Sequence, residues 1–408
     1  MVEAKKRLIS VPQSSAPRQF FLDALRGFAL WGILLVNISV FASPYYGSGL
    51  TSPMAISAGD RLVTFIVAAF FETKFYLLFS FLFGYSFTIQ MMSAQRRQAS
   101  FFTSFMRRLL GLAVIGALHA VFLYHGDILT TYALVGVVLY SMRARSERFL
   151  LGLVLSLIMA TAAWWLFLAF QREGVQMTEA AQLAELAAIT VGFQGGMASV
   201  IEQHVLALKS VWIITWMMQG PMALAMFGLG LIAGRRQVFL HLAQYARCFK
   251  RLRFWGLMVG MPIAVLYGYS STYHPGSRLE MVSLALSVLT GPALSMAYMA
   301  LAVAVYQSRW GTVITEWLAP AGKMALSNYV LQSLWCSLIF YGIGLGLIGQ
   351  CAPTTIFWLA CALFLGQTAL SHYWLRYYAY GPLEWCLRMW TNGCYVRLRQ
   401  KTEPKVLR

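Results

Sequence analysis

Charge is what this chain has least of. Of its 408 residues, 11% are charged and 59% are hydrophobic, whereas a soluble domain carries about 25% charged residues. No stretch has the composition of a water-facing partner domain, so a string of soluble domains is excluded. Acids are scarcer still: 14 Asp and Glu stand against 32 Lys and Arg, a net charge of +18. In a soluble protein that excess would point to nucleic acid. Here the cations fall between long apolar runs, so their placement follows membrane topology and no nucleic-acid partner is expected. Paired cysteines are also lacking. Cys248, Cys336, Cys351, Cys361, Cys386 and Cys394 form no CxxC pair. With no HExxH or HxH spacing either, no metal is expected. A cleaved leader is not expected, because "MVEAKKRLISVPQSSAPRQF" is too long for an n-region and Asp23 and Arg26 sit just before the apolar run.

What the chain does have is ten segments long enough to cross a bilayer, which takes about 20 mostly apolar residues. Their cores are 26–43, 65–92, 107–124, 127–142, 149–170, 208–234, 254–270, 281–307, 325–348 and 354–375. The expected fold is all-α: a polytopic membrane bundle of about ten helices with both termini cytoplasmic. Residues 1–19 form a basic lead, 20–380 the transmembrane domain and 381–408 a basic tail. This register puts Arg96, Arg97, Arg107, Arg108, Arg143, Arg145, Arg148 and the block "RRQVFLHLAQYARCFKRLR" on the cytoplasmic side. The longest outer loop, 171–207, holds Glu173, Glu179, Glu185 and Glu202 against Arg172. Within it "MTEAAQLAELAAITV" reads as an interfacial or connecting helix. Span two is interrupted by Glu72 and Lys74 and admits two stacked half-helices. "GPMALAM" and "GPALSMA" put Gly-Pro mid-span, where proline kinks a helix; broken helices line transporter sites, although a packing kink is the plainer reading.

Ionisable residues inside a span cost roughly 2.5–3.5 kcal/mol each on insertion scales and persist where they find partners. The stretch "LHAVFLYHGDIL" places His119 near the outer end of span three and His125 and Asp127 in the turn before span four. Asp127 suits a helix N-terminus. A histidine with a partner carboxylate suits general acid/base work. Glu72 is the foremost carboxylate expected to orient that histidine, with Asp127 the alternative. Asp23 and Arg26 are one turn apart, either as an ion pair anchoring the helix end or with Arg26 holding an anionic group such as a phosphate. Arg26 and Asn37 are eleven residues apart, as are Arg108 and His119, so each pair shares a helix face about 16 Å long. Together they suggest a polar seam through the bundle. In span nine Asn328 and Gln332 form one polar stripe, whose plain reading is interhelical hydrogen bonding.

Three blocks give the chain a family resemblance: "FLDALRGFALWGILLVNI"; "FETKFYLLFSFLFGYSF" with "RRLLGLAVIGALHAVFLYHGDIL"; and "PAGKMALSNYVLQSLWCSLIFYGIGLG" with "YGPLEW". It resembles the YeiB-like family of bacterial multi-pass inner-membrane proteins. More distantly it is similar to the integral-membrane acyltransferase clan of O-acetylases and heparan-glucosaminide N-acetyltransferase. The shared features are Leu25, Arg26, Gly27, Phe28 and Ala29; Phe81, Phe83 and Gly84; and Gly322, Ala325, Leu326 and Tyr329. The resemblance implies transfer of an acyl group from cytoplasmic acyl-CoA, with no tightly bound cofactor, to a hydroxyl or amine at the outer face. An envelope glycan or a small molecule would be the acceptor. Arg26 and Arg108 would hold the donor's phosphates, and Asn37, Asn328 and Gln332 would contact substrate. Where the O-acetylases carry a histidine near the end of the first span, this chain has Asn37, so His119 or His125 would have to supply the base. The same polar residues fit a proton relay in a proton-coupled transporter, or helix-gluing contacts in a non-catalytic membrane protein.

Overall fold

The computed structural model describes residues 16–171 and 178–399. The lead as far as residue 15, Arg172, Glu173 and the tail from 400 lie outside the described residues. Everything regular within them is helical, apart from one isolated bridge between Tyr378 and Arg399. Eight segments are long and apolar enough to cross a membrane: Phe20–Ala42, Ala58–Arg96, Phe101–Phe122, Glu147–Gln171, Met197–Arg235, Ala246–Tyr273, Arg278–Tyr306 and Pro353–Tyr377. Two shorter apolar helices, Leu129–Ser141 and Ala325–Phe340, stand where spans four and nine are expected. The architecture is therefore a polytopic helical bundle.

Helix α1 (Ala16–Ala42) runs against α12 (Gly311–Lys323), and glycines set the distance. A Cβ on Gly322 would stand 1.7 Å from the Asp23 carbonyl oxygen, and one on Gly27 2.4 Å from that of Leu318. No other residue type fits at so close a backbone approach.

Span two is divided. Helix α2 (Ala58–Ile66) passes through a π-helical turn, Val67–Phe71, and the chain then breaks at Glu72 and Thr73 before α3 (Lys74–Arg96). Thr73 has φ +66°, unusual for a β-branched residue. Helices α4 (Phe101–Phe122), α5 (Leu129–Ser141) and α6 (Glu147–Gln171) follow in tight succession. On α4, Val114, Leu118 and Phe122 are exposed, while Gly116, His119 and Ala120 are buried. Its outer face is apolar and its inner face partly polar, which suits a lipid environment rather than water.

The expected outer loop holds the helix that its alanine-rich stretch suggested. It contains α7 (Glu179–Gln194), and α8 begins already at Met197 and runs to Ile214. A second π-helical turn, Thr215–Gln219, joins α8 to α9 (Gly220–Arg235), so span six extends well before residue 208. Pro221 follows directly on this π-helical turn, inside the continuous helical run Met197–Arg235. Pro292 lies inside α11 (Arg278–Tyr306), which continues unbroken after α10 (Ala246–Tyr273). The two Gly-Pro pairs are therefore not equivalent. Span nine is shorter than expected: α13 (Ala325–Phe340) gives way to turns before α14 (Pro353–Tyr377). The expected tail opens with α15 (Pro382–Asn392), which packs on α4 and α13.

Candidate functional site

The site forms where α4 ends. The amides of Leu123 and Tyr124 both return to the His119 carbonyl, at 2.9 and 2.8 Å, closing the helix abruptly. The chain turns through Gly126 and enters α5, whose first-turn amide on Thr130 donates to Asp127 Oδ2 at 2.8 Å. The Thr130 hydroxyl donates to the same oxygen at 2.9 Å. Two hydrogen bonds to one oxygen at the N-terminus of a helix fix the carboxylate in place. Gly116, one turn before His119, makes room for this turn to fold down. A Cβ there would lie 2.6 Å from the Thr130 nitrogen and 2.7 Å from Asp127 Oδ2.

The other oxygen of Asp127 faces His119 Nδ1 at 2.9 Å. His119 Nε2 lies 2.8 Å from Ser333 Oγ on α13. Because the carboxylate can only accept, Nδ1 carries the proton and Nε2 presents its lone pair to the Ser333 hydroxyl, which donates. His119 and Ser333 are each 2% exposed and Asp127 8%. A serine, a histidine and an aspartate in this order form the constellation that activates a hydroxyl for acyl transfer. The Tyr329 ring, one turn before Ser333, packs 4.9 Å from the imidazole. Ser337, one turn after it, donates to the Leu123 carbonyl at 3.0 Å and ties α13 to the turn.

Asn37 belongs to the same neighbourhood: it accepts from the Tyr124 hydroxyl at 3.4 Å, and Tyr124 lies 6.1 Å, ring to ring, from His119. A cavity of about 10 Å³, room for about one water, abuts Asp127. It is lined by Ala120, His125, Thr130 and Thr131 on one side and by Leu208, Val211, Trp212 and Thr215 on the other. Thr215 begins the second π-helical turn, a distortion frequent at functional sites.

His125 points elsewhere. Its Nδ1 is 3.2 Å from His204 Nδ1, so one ring donates and the other accepts. Burial pushes His125 down to about 4, which keeps it neutral. His204 is fully buried, and its Nε2 has no hydrogen-bond partner among the described residues.

Glu72 does not orient a histidine. It accepts hydrogen bonds from the hydroxyls of Tyr46 and Tyr267, the latter at 2.6 Å, at the break in span two. The nearby Lys74 is fully buried, donates to the Ala68 carbonyl at 3.3 Å and lies over the Tyr267 ring. The expectation of a Glu72–histidine pair is corrected: two tyrosines satisfy the carboxylate, and Asp127 is the residue that pairs with His119.

Asn328 and Gln332 face α14. Asn328 Nδ2 donates to Ser371 Oγ at 2.9 Å and to the Ala321 carbonyl at 3.0 Å, and Gln332 Nε2 donates to Gln367 Oε1 at 2.9 Å. Ser333 is one residue on from Gln332 and so turns about 100° away from that stripe, toward His119.

At the far end of α1 and α4 lie the arginines. Arg26 pairs with Asp23 and donates to Ser86 Oγ at 2.7 Å. Arg108 donates to Gln90 Oε1 at 3.4 Å, and its buried Nε has no partner among the described residues. Arg108 is eleven residues before His119 on α4, about 16 Å along the axis.

Ser333, His204, Tyr46 and Tyr267 were not singled out in the sequence. Ser333 is 214 residues from His119, and nothing local distinguishes it from the other serines of span nine.

Comparison with known proteins gives the chain relatives along nearly its whole length. The family described as "Protein of unknown function (DUF418)" matches residues 233–394, a stretch that includes Ser333 but not His119 or Asp127. The uncharacterized protein YxaH of Bacillus subtilis is 30% identical, over 94% of this chain and 96% of its own. An uncharacterized 39.9 kDa protein from the amylase 3′ region of Bacillus acidopullulyticus is 29% identical, over 91% and 92%. The uncharacterized protein YeiB of Escherichia coli is 28% identical, over 92% and 96%. No solved structure matches the chain.

Proposed function

The chain belongs to the YeiB-like family of multi-pass membrane proteins, described as DUF418, and from that premise we propose that it is a membrane acyltransferase. In this reading it takes an acyl group from acyl-CoA on the cytoplasmic side of a bacterial inner membrane. It delivers the group to a hydroxyl or amine at the outer face, on an envelope glycan or a small molecule. The observation that carries the proposal is His119, held by Asp127 on one nitrogen and in contact with a hydroxyl on the other. An imidazole in that setting removes a proton from an attacking group and returns it to the leaving group, a contribution of roughly 10²–10⁴-fold in comparable enzymes. Asp127 fixes the ring's tautomer and stabilises the imidazolium that forms.

The donor's phosphates would be held by Arg26 and Arg108. Support comes from Arg108, a guanidinium that among the described residues has a buried, unpartnered nitrogen and a single long hydrogen bond, to Gln90. An anion bound there would satisfy it. The extended pantetheine arm of CoA spans a length comparable to the axial separation of Arg108 and His119. Asn37, hydrogen-bonded to Tyr124 beside His119, would contact the acyl or acceptor group, whereas Asn328 and Gln332 would act by fixing α13 against α14.

The test is calorimetric titration of purified protein in detergent with acetyl-CoA and palmitoyl-CoA. Wild type is expected to bind one of them, and Arg108→Ala to bind it at least tenfold more weakly. His119→Ala is expected to bind normally and to transfer nothing. Absence of binding by folded wild-type protein would defeat the proposal.

A further inference from the structure

We propose that Ser333 carries the acyl group as a covalent ester between donor and acceptor, so that transfer takes place in two separate steps. The proposal rests on the acyltransferase reading above and adds a catalytic residue to it. Four observations bear on Ser333. First, its Oγ occupies the only free nitrogen of His119, at 2.8 Å, with Asp127 on the other. A base that acted directly on an external acceptor would need that nitrogen vacant. Second, the hydroxyl is buried, and its remaining contact is a long one, 3.4 Å to the carbonyl of Tyr329 one turn back. Its short partner is thus the imidazole, which is the arrangement that activates a serine. Third, Ser333 and His119 are both buried, and the small cavity nearby is lined by Asp127 but by neither of them, so the reacting pair is closed to a CoA thioester and an acceptor side by side. Donor and acceptor therefore meet the site in turn. Fourth, α13 is pinned at this level by Ser337 to the α4–α5 turn and by Gln332 to α14, so Ser333 has little freedom to swing away.

The chemistry balances without a further reagent. In the first step Ser333 Oγ attacks the thioester carbonyl, a C–O bond forms and the C–S bond breaks. His119 Nε2 takes the hydroxyl proton and passes it to the departing sulfur, releasing CoA as the free thiol. In the second step the acceptor hydroxyl or amine attacks the serine ester. His119 takes its proton and returns it to Ser333 Oγ as that bond breaks. Asp127 keeps the imidazole in register through both. The acyl group, and not CoA, is all that has to remain in the buried site.

A serine ester formed before the acceptor arrives makes the first step reversible on its own. Purified full-length protein is therefore incubated with acetyl-CoA or palmitoyl-CoA and isotopically labelled free CoA, with no acceptor present. Wild type is expected to exchange label into the thioester and, after denaturing quench, to show one acyl group on the peptide containing Ser333. Ser333→Ala is expected to lose both the exchange, by about 10³-fold or more, and the adduct, while retaining acyl-CoA binding and its melting temperature. Ser333→Cys is expected to carry the acyl group as a thioester, which neutral hydroxylamine removes and which the serine ester resists. If wild type binds acyl-CoA and acylates an acceptor or water, yet shows neither exchange nor adduct, Ser333 is not the carrier and His119 acts directly. If Ser333→Ala exchanges at the wild-type rate, the proposal is overturned as well. If wild type binds no acyl-CoA, the acyltransferase reading itself fails.

Discussion

His119 and His125 are six residues apart and chemically opposite. His119 is paired with a carboxylate; His125 faces another imidazole and is neutral. Burial lowers His125 from the ordinary 6.5 to about 4. The fold thus favours the uncharged ring, so its contribution to stability is complete above pH 6.5 and is lost as the pH falls toward 4. The neighbouring His204, with an unpartnered Nε2, gives a proton on either ring no acceptor carboxylate in direct contact. Melting temperatures in detergent are expected to fall between pH 6.5 and 4.5 more steeply for wild type than for His125→Gln. Parallel profiles would show that His125 titrates normally. The pairing of a histidine with Asp127 was legible as one of two options, because Asp127 follows His119 by eight positions, across a short turn between two apolar runs. The assignment of that role to Glu72 failed because its tyrosine partners come from positions 46 and 267, contacts that depend on how span two breaks.

The helices were readable wherever an apolar run was long enough, and their ends were not. Span six starts at Met197 rather than near 208, because "MASVIEQHVLALK" mixes polar residues into a helix whose inner side packs on Phe193 and Tyr341 through His204. The two π-helical turns left no local mark, since a π turn is a choice of hydrogen-bond register rather than of composition. Helix α15 was hidden in what reads as a basic tail, yet it fixes the start of α13. Its Glu384 accepts from the amides of Leu326 and Ser327 at 2.7 and 3.0 Å and from the Ser327 hydroxyl. A carboxylate from a different helix thus caps the N-terminus of the helix that carries Tyr329 and Ser333. Burial raises the Glu384 carboxyl above its usual range despite these donors. The donors need an acceptor oxygen, which the carboxyl supplies in either protonation state. Glu384→Ala is expected to cost about 1–3 kcal/mol by leaving buried donors unsatisfied, and Glu384→Gln, which keeps an acceptor oxygen, to recover most of it. Thermal melts of both variants check this. Equal losses for the two would mean that the charge, not the acceptor, holds α13.

For the whole molecule, the decisive quantity is orientation, because the proposed acyl transfer across a membrane needs the arginines and the acceptor side on opposite faces. Arg26 and Arg108 lie near one end of α1 and α4, and the α4–α5 turn with Asp127 lies at the other end of α4. The connections on the arginine side carry Arg96 and Arg97, then Arg143, Arg145 and Arg148, and Arg235 and Arg236. The described part of the long connection on the other side carries Glu179, Glu185 and Glu202. Positive charge resists translocation, so the arginine-rich side is expected in the cytoplasm. The structure adds contacts that hold this face together. Arg235 donates to the carbonyls of Arg143 and Arg145 at 2.6 and 2.8 Å, and Arg236 pairs with Glu147. An epitope inserted after Gln98 should be reachable by protease only from the cytoplasmic side, in inverted vesicles. One inserted after Glu185, in α7, should be reachable in spheroplasts. The reverse pattern would put Arg108 outside, where no acyl-CoA is available, and would remove the donor half of the mechanism while leaving the buried Ser333, His119 and Asp127 in need of another substrate.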